Sequence, residues 1–268
     1  MQNVRDKVVF ITGGANEAGI LIASALGAAG AKIALADDAA DRLAAARSLL
    51  REQGIETLVV QADVSNRAEM RQAADAVIAR FGKVHILIAN AERKSMARLR
   101  DADEQDWDRT RAVNLGSVIN MIQEFLPIVR RQNEGGYILA RVPISAIVTS
   151  VSPDVQAVQS SSVVAIMEAL SAELRGEGIG SSLIIGPASQ EPSDWSSEIG
   201  SRVLHGIVAG DLYIFAGDVP ADTIRNYFEP LLAAMPSEAP SGGPQGRDPE
   251  AMFPVYAAVL RAKASRRP

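Results

Sequence analysis

The segment from Val8 to Asp37 constrains the fold of this chain more than any other. It begins with a β-branched run that ends in two glycines, VVFITGG, and continues with apolar residues at helical spacing until Gly30. A second strand, KIALADD, then reaches Asp37. A strand, a tight turn, a helix and a second strand in close succession predict one unit of a parallel α/β sheet.

The glycines of this turn and the acid that follows predict a nucleotide site. Gly13 and Gly19 lie on either side of the predicted helix start, where free backbone N–H groups and the positive helix end suit a pyrophosphate. An acid about 20 residues past such a turn, here Asp37, is expected to bind an adenosine ribose hydroxyl. Glu17 disagrees with this pattern, because a carboxylate inside the turn repels phosphate and adds bulk.

Composition bounds the class of protein. The 268 residues are 47% hydrophobic, which suits one large domain with a single core. The net charge of −5 comes from interspersed acids and bases, so we expect no nucleic-acid partner. Cysteine is absent and the two histidines, His85 and His205, are far apart, so we expect no disulfide and no metal site. The apolar runs are short, so we expect a cytoplasmic protein without a membrane partner.

Strands and helices alternate beyond the first unit. A predicted helix at 39–52 is followed by the strand TLVVQADV, and a helix with Ser65 as its N-cap ends at Gly82. The next strand, VHILIANA, is a continuous apolar run of the kind found in parallel strands buried on both faces. The alternation predicts a Rossmann-like, doubly wound parallel sheet in three α/β/α layers, with ligands at the carboxyl ends of the strands.

The second half continues this pattern. We expect helices over Glu104–Arg130 and Val155–Arg175, the strands YILARV, SSLIIGP and LYIFAG, and a last helix TIRNYFEPLLAAM. The apolar band of the first of these helices is wider than a sheet-facing stripe needs, which favours burial against another subunit. Residues 189–201 are polar and predict a mobile flap at the carboxyl edge.

The C-terminal segment differs in composition. We expect the domain to occupy residues 1–235 and a Pro/Gly-rich linker with a C-terminal arm to occupy 236–268. The arm is either a disordered end or a segment that docks on its own domain or on a neighbour.

In the order and spacing of its motifs, the chain resembles the short-chain dehydrogenase/reductase family over about residues 5–235. TGGANEAG matches the family pattern TGxxxGxG except that Glu17 replaces the middle glycine. Ala89-Asn90-Ala91-Glu92 stands where the family has NNAG, and here Glu92 displaces a glycine.

The resemblance implies a site for NAD. Asp37 falls where the family places an acid that favours NAD over NADP, and Asp63 falls where an acid contacts the adenine. For both residues, a role as a helix N-cap or turn residue stays open. NAD binding also stays open, because Glu17 and Glu92 add negative charge along the cofactor path. The residues expected to hold NAD are Thr12, Gly13, Gly19, Asp37, Asp63 and Asn90.

The resemblance also implies that the family's catalytic residues are replaced. The family uses a tyrosine as acid or base, a lysine four residues later that lowers its pKa, and a serine about thirteen residues before it. When the sequence is aligned on Ala172–Leu174, Gln156 falls at the tyrosine position, Ser160 at the lysine position and Pro143 at the serine position. Asn114 matches the asparagine of the family's proton relay, or it caps backbone groups at a helix irregularity.

Neighbouring residues offer few substitutes. No lysine lies between Lys94 and Lys263, and Tyr137 is at the wrong end of its strand. A serine hydroxyl is too weak an acid to replace an activated tyrosine, which applies to Ser145, Ser150 and Ser152. Arg141 either points into the cleft or is a solvated charge at the end of its strand.

Three functions therefore remain open. The leading hypothesis is a catalytically degenerate family member that serves as a non-catalytic subunit or scaffold in a homo- or hetero-oligomer with subunits of the same family. The second is an enzyme that uses an atypical site for NAD-dependent redox chemistry or for a non-redox reaction. The third is a module that senses a nucleotide without turning it over, since fold alone does not fix function.

Overall fold

The computed structural model describes residues 1–95, 97–148, 154–187, 198–217 and 221–234. In this part of the chain, strands and helices alternate as the sequence predicts. The strands are β1 (Val8–Thr12), β2 (Lys32–Asp37), β3 (Thr57–Gln61), β4 (Ile86–Ala89), β5 (Gly136–Pro143), β6 (Ile179–Gly186) and β7 (Tyr213–Phe215). The helices are α1 (Glu17–Ala28), α2 (Ala40–Glu52), α3 (Arg67–Phe81), α4 (Glu104–Arg111), α5 (Ser117–Gln132), α6 (Val155–Glu173), α7 (Ile199–Ala209) and α8 (Ala221–Ala234).

All seven strands form one parallel sheet in the order β3-β2-β1-β4-β5-β6-β7. Strand β1 pairs with β2 on one side and with β4 on the other, so the strand order reverses beside β1. In sheets of this kind, ligands bind in the crevice at the carboxyl ends of the strands where the order reverses. The predicted Rossmann-like α/β fold is confirmed.

The core has two halves, one on each face of the sheet. On one face, α3, α5 and α6 bury Met70, Phe125 and Met167, and the Phe125 ring stacks on Phe10 with ring centroids 4.3 Å apart. On the other face, α1, α2 and α7 bury their own apolar side chains against the strands. This arrangement gives the three layers predicted from the alternation of strands and helices.

Residue Asn66, and not Ser65, caps the start of α3. The Asn66 side chain accepts hydrogen bonds from the backbone N–H groups of Ala68 and Glu69. Ser65 instead donates from its hydroxyl to Asp63 at 2.7 Å. The prediction of Ser65 as the cap is wrong by one residue, because serine and asparagine both suit the position and the sequence holds them side by side. Gly82 ends α3 in the left-handed conformation, as predicted.

The predicted helix over Glu104–Arg130 is interrupted. A π-helical turn at Ala112–Gly116 separates α4 from α5. The stretch Glu104–Gln132 is long and apolar enough to cross a membrane by length and composition, criteria that a core helix of a soluble protein also meets. Met121 and Phe125 in this stretch are fully buried against the sheet, which identifies α5 as a core helix.

The prediction of a mobile flap is wrong at its C-terminal end. Helix α7 begins at Ile199 and buries Ile199, Val203 and Ile207, which recur every four residues. It packs closely on α1 through Gly200, where an added Cβ would lie 2.5 Å from the Leu21 carbonyl oxygen. The rest of the predicted flap, 189–197, and the predicted linker and arm, 236–268, lie outside the described residues.

Candidate functional site

The glycine turn after β1 is built against the neighbouring strands. The N–H of Gly14 donates to the Ala36 carbonyl at 3.0 Å, which ties the turn to β2. Gly13 has a φ of +58°, and a Cβ on it would lie 2.7 Å from the Ala91 Cα. A side chain at Gly13 is therefore excluded by both backbone conformation and space.

The start of α1 carries its own acceptor and its own negative charge. Asn16 is the N-cap, and its Oδ1 accepts from the Gly19 N–H at 2.8 Å. Glu17 is the first helical residue and is exposed. The first amides of a helix attract anions, but here a carboxylate of the chain already lies at that end. The donor set therefore fits a pyrophosphate poorly.

Hydrogen bonds of the Thr12 and Asn90 side chains connect the ends of β1 and β4. Both side chains are buried. The Asn90 Nδ2 donates to the carbonyl oxygens of Thr12 and Gly13 at 3.1 and 2.8 Å, while the Thr12 Oγ1 accepts from the Asn90 N–H at 3.1 Å. The Asn90 Oδ1 is a buried acceptor with no partner among the described residues. These two predicted cofactor residues hold the turn in shape.

Asp37, at the end of β2, is almost fully buried. Its Oδ2 accepts from the Ala15 N–H at 3.3 Å, and its Oδ1 accepts from the Ala39 N–H at 3.2 Å. The Oδ1 also forms an ion pair with Arg42 at 2.7 Å, and this bond raises the pKa of the Arg42 guanidinium above its ordinary value. A carboxylate offers about four acceptor positions, and the described residues use three of those of Asp37.

Asp63, which follows β3, is exposed at the same edge of the sheet. Its Oδ1 accepts two hydrogen bonds from Ser65, at 2.9 Å from the backbone N–H and at 2.7 Å from the hydroxyl. Both bonds use the same oxygen, so Oδ2 can still accept a bond from outside. Asp63 is thus a turn residue in this structure and also an available acceptor.

Three side chains meet around residue 156, which the sequence alignment predicts to be the position of the family's catalytic tyrosine. The Gln156 side chain, near the start of α6, donates its amide to Glu92 Oε1. Arg141, on β5, donates to Glu92 Oε2 at 2.5 Å and to the Asn90 carbonyl at 3.2 Å. The side chains of Arg141 and Glu92 are only 6% and 10% exposed. We refer to Glu92, Arg141 and Gln156 as the Glu92 cluster.

The Glu92 cluster decides between the two interpretations of Arg141. The guanidinium points into the cleft and forms a buried ion pair, so its interpretation as a solvated charge is wrong. The sequence contains a feature from which this ion pair could have been predicted. An acid at a glycine position and a cation two residues before the serine position are opposite charges at neighbouring strand ends, where each can neutralise the other.

Asn114 supports the loop that carries Glu92. It lies in the π-helical turn, where its Oδ1 accepts from the Arg93 N–H at 2.7 Å and its Nδ2 donates to the Arg93 carbonyl at 2.9 Å. Both hydrogen-bonding groups of the Asn114 amide are therefore engaged with the backbone next to Glu92. This geometry is that of a backbone cap at a helix irregularity.

The remaining residues expected near the centre are dispersed. Pro143 ends β5 opposite Gly186, and Ser160 is buried on α6. Tyr137 lies at the amino end of β5, where its hydroxyl is 2.9 Å from the Ser182 hydroxyl and burial raises its pKa. Ser145 is buried, while Ser150 and Ser152 lie outside the described residues. Across the described ranges, no group of three or more His, Asp or Glu side chains could hold a metal ion.

Comparison with known proteins places this geometry in a family. Residues 7–190 match the family model of the short chain dehydrogenases. The chain belongs to the short-chain dehydrogenase family. It is 32% identical over 184 residues to the C alpha-dehydrogenase of Sphingobium sp. strain SYK-6, and this alignment covers 68% of this chain and 60% of that protein. It is 33% identical over 190 residues to the D-threitol dehydrogenase of Mycolicibacterium smegmatis, and this alignment covers 65% of this chain and 66% of that protein.

Solved structures of the family share the fold. A short-chain dehydrogenase of Novosphingobium aromaticivorans superposes with a TM-score of 0.82 at 27% identity, over 99% of this chain and 96% of that chain. LigD of Sphingobium sp. strain SYK-6 superposes with a TM-score of 0.81 at 26% identity, over 88% of this chain and 100% of that chain. A family member of Burkholderia phymatum, solved with NAD, gives 0.80 at 24% identity over 91% and 100%, which shows the fold alone. The chain spans about half to two thirds of the length of the first curated relatives that it matches.

Proposed function

We propose that this protein is a catalytically degenerate member of the short-chain dehydrogenase family, and that it serves as a non-catalytic subunit or scaffold of an oligomeric dehydrogenase assembly. The Glu92 cluster carries this proposal. An amide at residue 156 neither gives up nor takes up a proton near neutral pH, and here it is bound to Glu92.

The other replaced positions support the same proposal. Ser160 brings no positive charge to the lysine position, and Pro143 brings no hydroxyl to the serine position. The Glu92 carboxylate is not a ready substitute base, because its oxygens already accept bonds from Arg141 and Gln156. A hydride transfer at this centre would lack the group that protonates or deprotonates the substrate oxygen.

The outward face of α6 supports a role in assembly. Val158 is 40% exposed, and Ser162, Ala165 and Ala169 on the same face are exposed as well. The sequence carries no charged residue between Asp154 and Glu168. Small uncharged side chains let a second helix approach closely, so this face fits a helix of another subunit, in a homo- or hetero-oligomer in the cytoplasm.

The test is turnover by the purified chain. We expect no hydride transfer with NAD(H) or NADP(H) across a panel of alcohols and carbonyl compounds, and we expect co-expression with an active short-chain dehydrogenase of the same organism to yield a complex. Turnover by the chain alone that is lost in Gln156→Ala would contradict the proposal and favour the alternative of an NAD-dependent or non-redox enzyme with an atypical site.

A second candidate is a module that senses a nucleotide. The observation that favours it is that Asp37 and Asp63 keep acceptor positions at the edge of the sheet, although the catalytic positions are replaced. Such a module would bind NAD without turning it over. In this chain, Thr12, Gly13, Gly19 and Asn90 would shape the turn beneath it, while Asp37 and Asp63 would face its adenosine half.

A further inference from the structure

The cleft at the carboxyl edge of the sheet has two halves that differ in chemistry. The glycine turn after β1 lies between them. Asp37 follows β2 and Asp63 follows β3 on one side, and the Glu92 cluster joins β4, β5 and α6 on the other. A dinucleotide in a doubly wound sheet spans the point where the strand order reverses, so it needs both halves.

The half beyond β4 is filled by the chain itself. Glu92 projects from the end of β4, and its two carboxylate oxygens are held from β5 by Arg141 and from α6 by Gln156. All three side chains are nearly or fully buried. Moving Glu92 aside would separate an ion pair at a site with little water, where an unpaired charge is strongly unfavourable. This half therefore does not fit the nicotinamide nucleotide that the family fold implies.

The half over β2 and β3 keeps acceptors that match an adenine nucleoside. The open position on the Asp37 Oδ2 can accept from a ribose hydroxyl, and the Asp63 Oδ2 can accept from the exocyclic amine of adenine. Glu17, exposed at the start of α1, lies where phosphate groups would follow. Acceptors without a phosphate site suit the nucleoside better than its phosphorylated forms.

We propose that the cleft selects an adenine nucleoside over an intact dinucleotide, because the Glu92 side chain closes the second half and Glu17 disfavours phosphate. The inference rests on the proposed non-catalytic function, since a chain that turned over NAD would have to bind the whole cofactor. Two residues then determine specificity: Glu92 excludes the nicotinamide nucleotide, and Glu17 disfavours the phosphate groups.

The test is isothermal titration calorimetry of the full chain with adenosine, ADP and NAD. We expect the wild type to bind adenosine most tightly and NAD most weakly. Glu17→Gln should raise affinity for ADP and NAD by about tenfold and leave adenosine unchanged within about twofold, because only the phosphate-bearing ligands meet residue 17. The double substitution Glu92→Gly with Arg141→Met removes both charges of the pair together and should raise affinity for NAD alone by about tenfold.

The matched control is Glu92→Gln, which keeps the volume of the side chain and should still exclude NAD. Circular dichroism establishes that each variant is folded, and Glu17→Gln, an exposed change, tests the proposal even if the double variant does not fold. Failure of the wild type to bind adenosine, or NAD binding as tight as adenosine binding, would overturn the inference. Turnover of NAD by the wild type would instead overturn the proposed function, so the two failures are distinguishable.

Discussion

At the scale of single residues, the ion pair between Glu92 and Arg141 neutralises two charges that are buried in the cleft. A carboxylate that displaces a glycine in a buried cleft is unfavourable alone, and an arginine on the adjacent strand is equally unfavourable alone. In the folded chain, Glu92 accepts hydrogen bonds from Arg141, 49 residues away in the sequence, and from Gln156, 64 residues away. The two buried charges therefore compensate for each other.

Substituting one partner of this pair tests its burial. Arg141→Ala leaves the Glu92 carboxylate without its cation in a site that is 10% exposed, and we expect a loss of about 3–5 kcal/mol in the free energy of unfolding, measured by urea denaturation. Arg225→Ala, which breaks the exposed pair with Asp222, is the matched control and should cost less than about 1 kcal/mol. Equal losses in the two variants would show that the Glu92 pair is not buried in solution.

The imidazole of His85 gives the fold a dependence on pH. Its Nδ1 accepts from the Val8 N–H at 3.1 Å and its Nε2 lies 3.1 Å from Glu134, so the neutral ring fits the site. Burial lowers the pKa of His85 below its ordinary value of 6.5. Below that value the unfolded chain binds a proton that the folded chain does not, so stability falls as the pH drops from about 6.5 toward the pKa of the folded state.

We expect the melting temperature of the wild type to fall between about pH 7 and pH 5, and the slope to flatten in His85→Gln. His205→Gln is the control: the chain's other histidine is exposed and should leave the slope unchanged. The bonds from Lys83 and His85 lower the pKa of Glu134 to about 2, so its contribution is lost only as the pH falls below about 4.5, in a separate window. An unchanged slope in His85→Gln would show that another group is responsible.

At the scale of helices and strands, the sequence predicts what depends on local pattern. The four strands from β1 to β4 and the helices between them follow from apolar periodicity and from the glycines that end each helix. The π-helical turn at Ala112–Gly116 does not follow from local pattern, and its Asn114 bonds to the backbone of Arg93, 21 residues away. Helix α7 was not predicted, because its start, Ile199-Gly200-Ser201, follows a polar run and contains a poor helix former.

The glycine at the start of α7 is the point of close contact between this helix and α1. A Cβ on Gly200 would lie 2.4 Å from the Ala25 Cβ and 2.5 Å from the Leu21 carbonyl oxygen, and a backbone atom cannot swing aside. We expect Gly200→Ala to lower the free energy of unfolding by about 1–3 kcal/mol, although alanine favours helices. In Gly116→Ala, the matched control, the nearest atom is 3.6 Å away, so no such loss should appear in the same denaturation experiment. Equal stability of Gly200→Ala and wild type would show that α1 and α7 are farther apart.

At the scale of the whole molecule, the motifs predicted the fold and the crevice but not the Glu92 cluster. Alternation and the handedness of parallel connections are general rules that limit the possible strand orders to a few. The Glu92 cluster depends on three side chains from three separate elements, and only the packed sheet brings them together. The outward face of α6 carries no charged residue between Asp154 and Glu168, so the molecule combines the buried Glu92 cluster with an open helical face.

That open face predicts how the chain assembles. If α6 packs against another subunit, Val158→Arg places a charge in the interface, and we expect the particle to become smaller in analytical ultracentrifugation, with unchanged circular dichroism. Leu49→Arg is the matched control, because Leu49 is 42% exposed on α2 and Val158 is 40% exposed on α6. Since both leave the core intact, a difference between them reports on the face and not on the added charge. An identical mass for wild type and Val158→Arg at all concentrations would show that α6 does not join subunits.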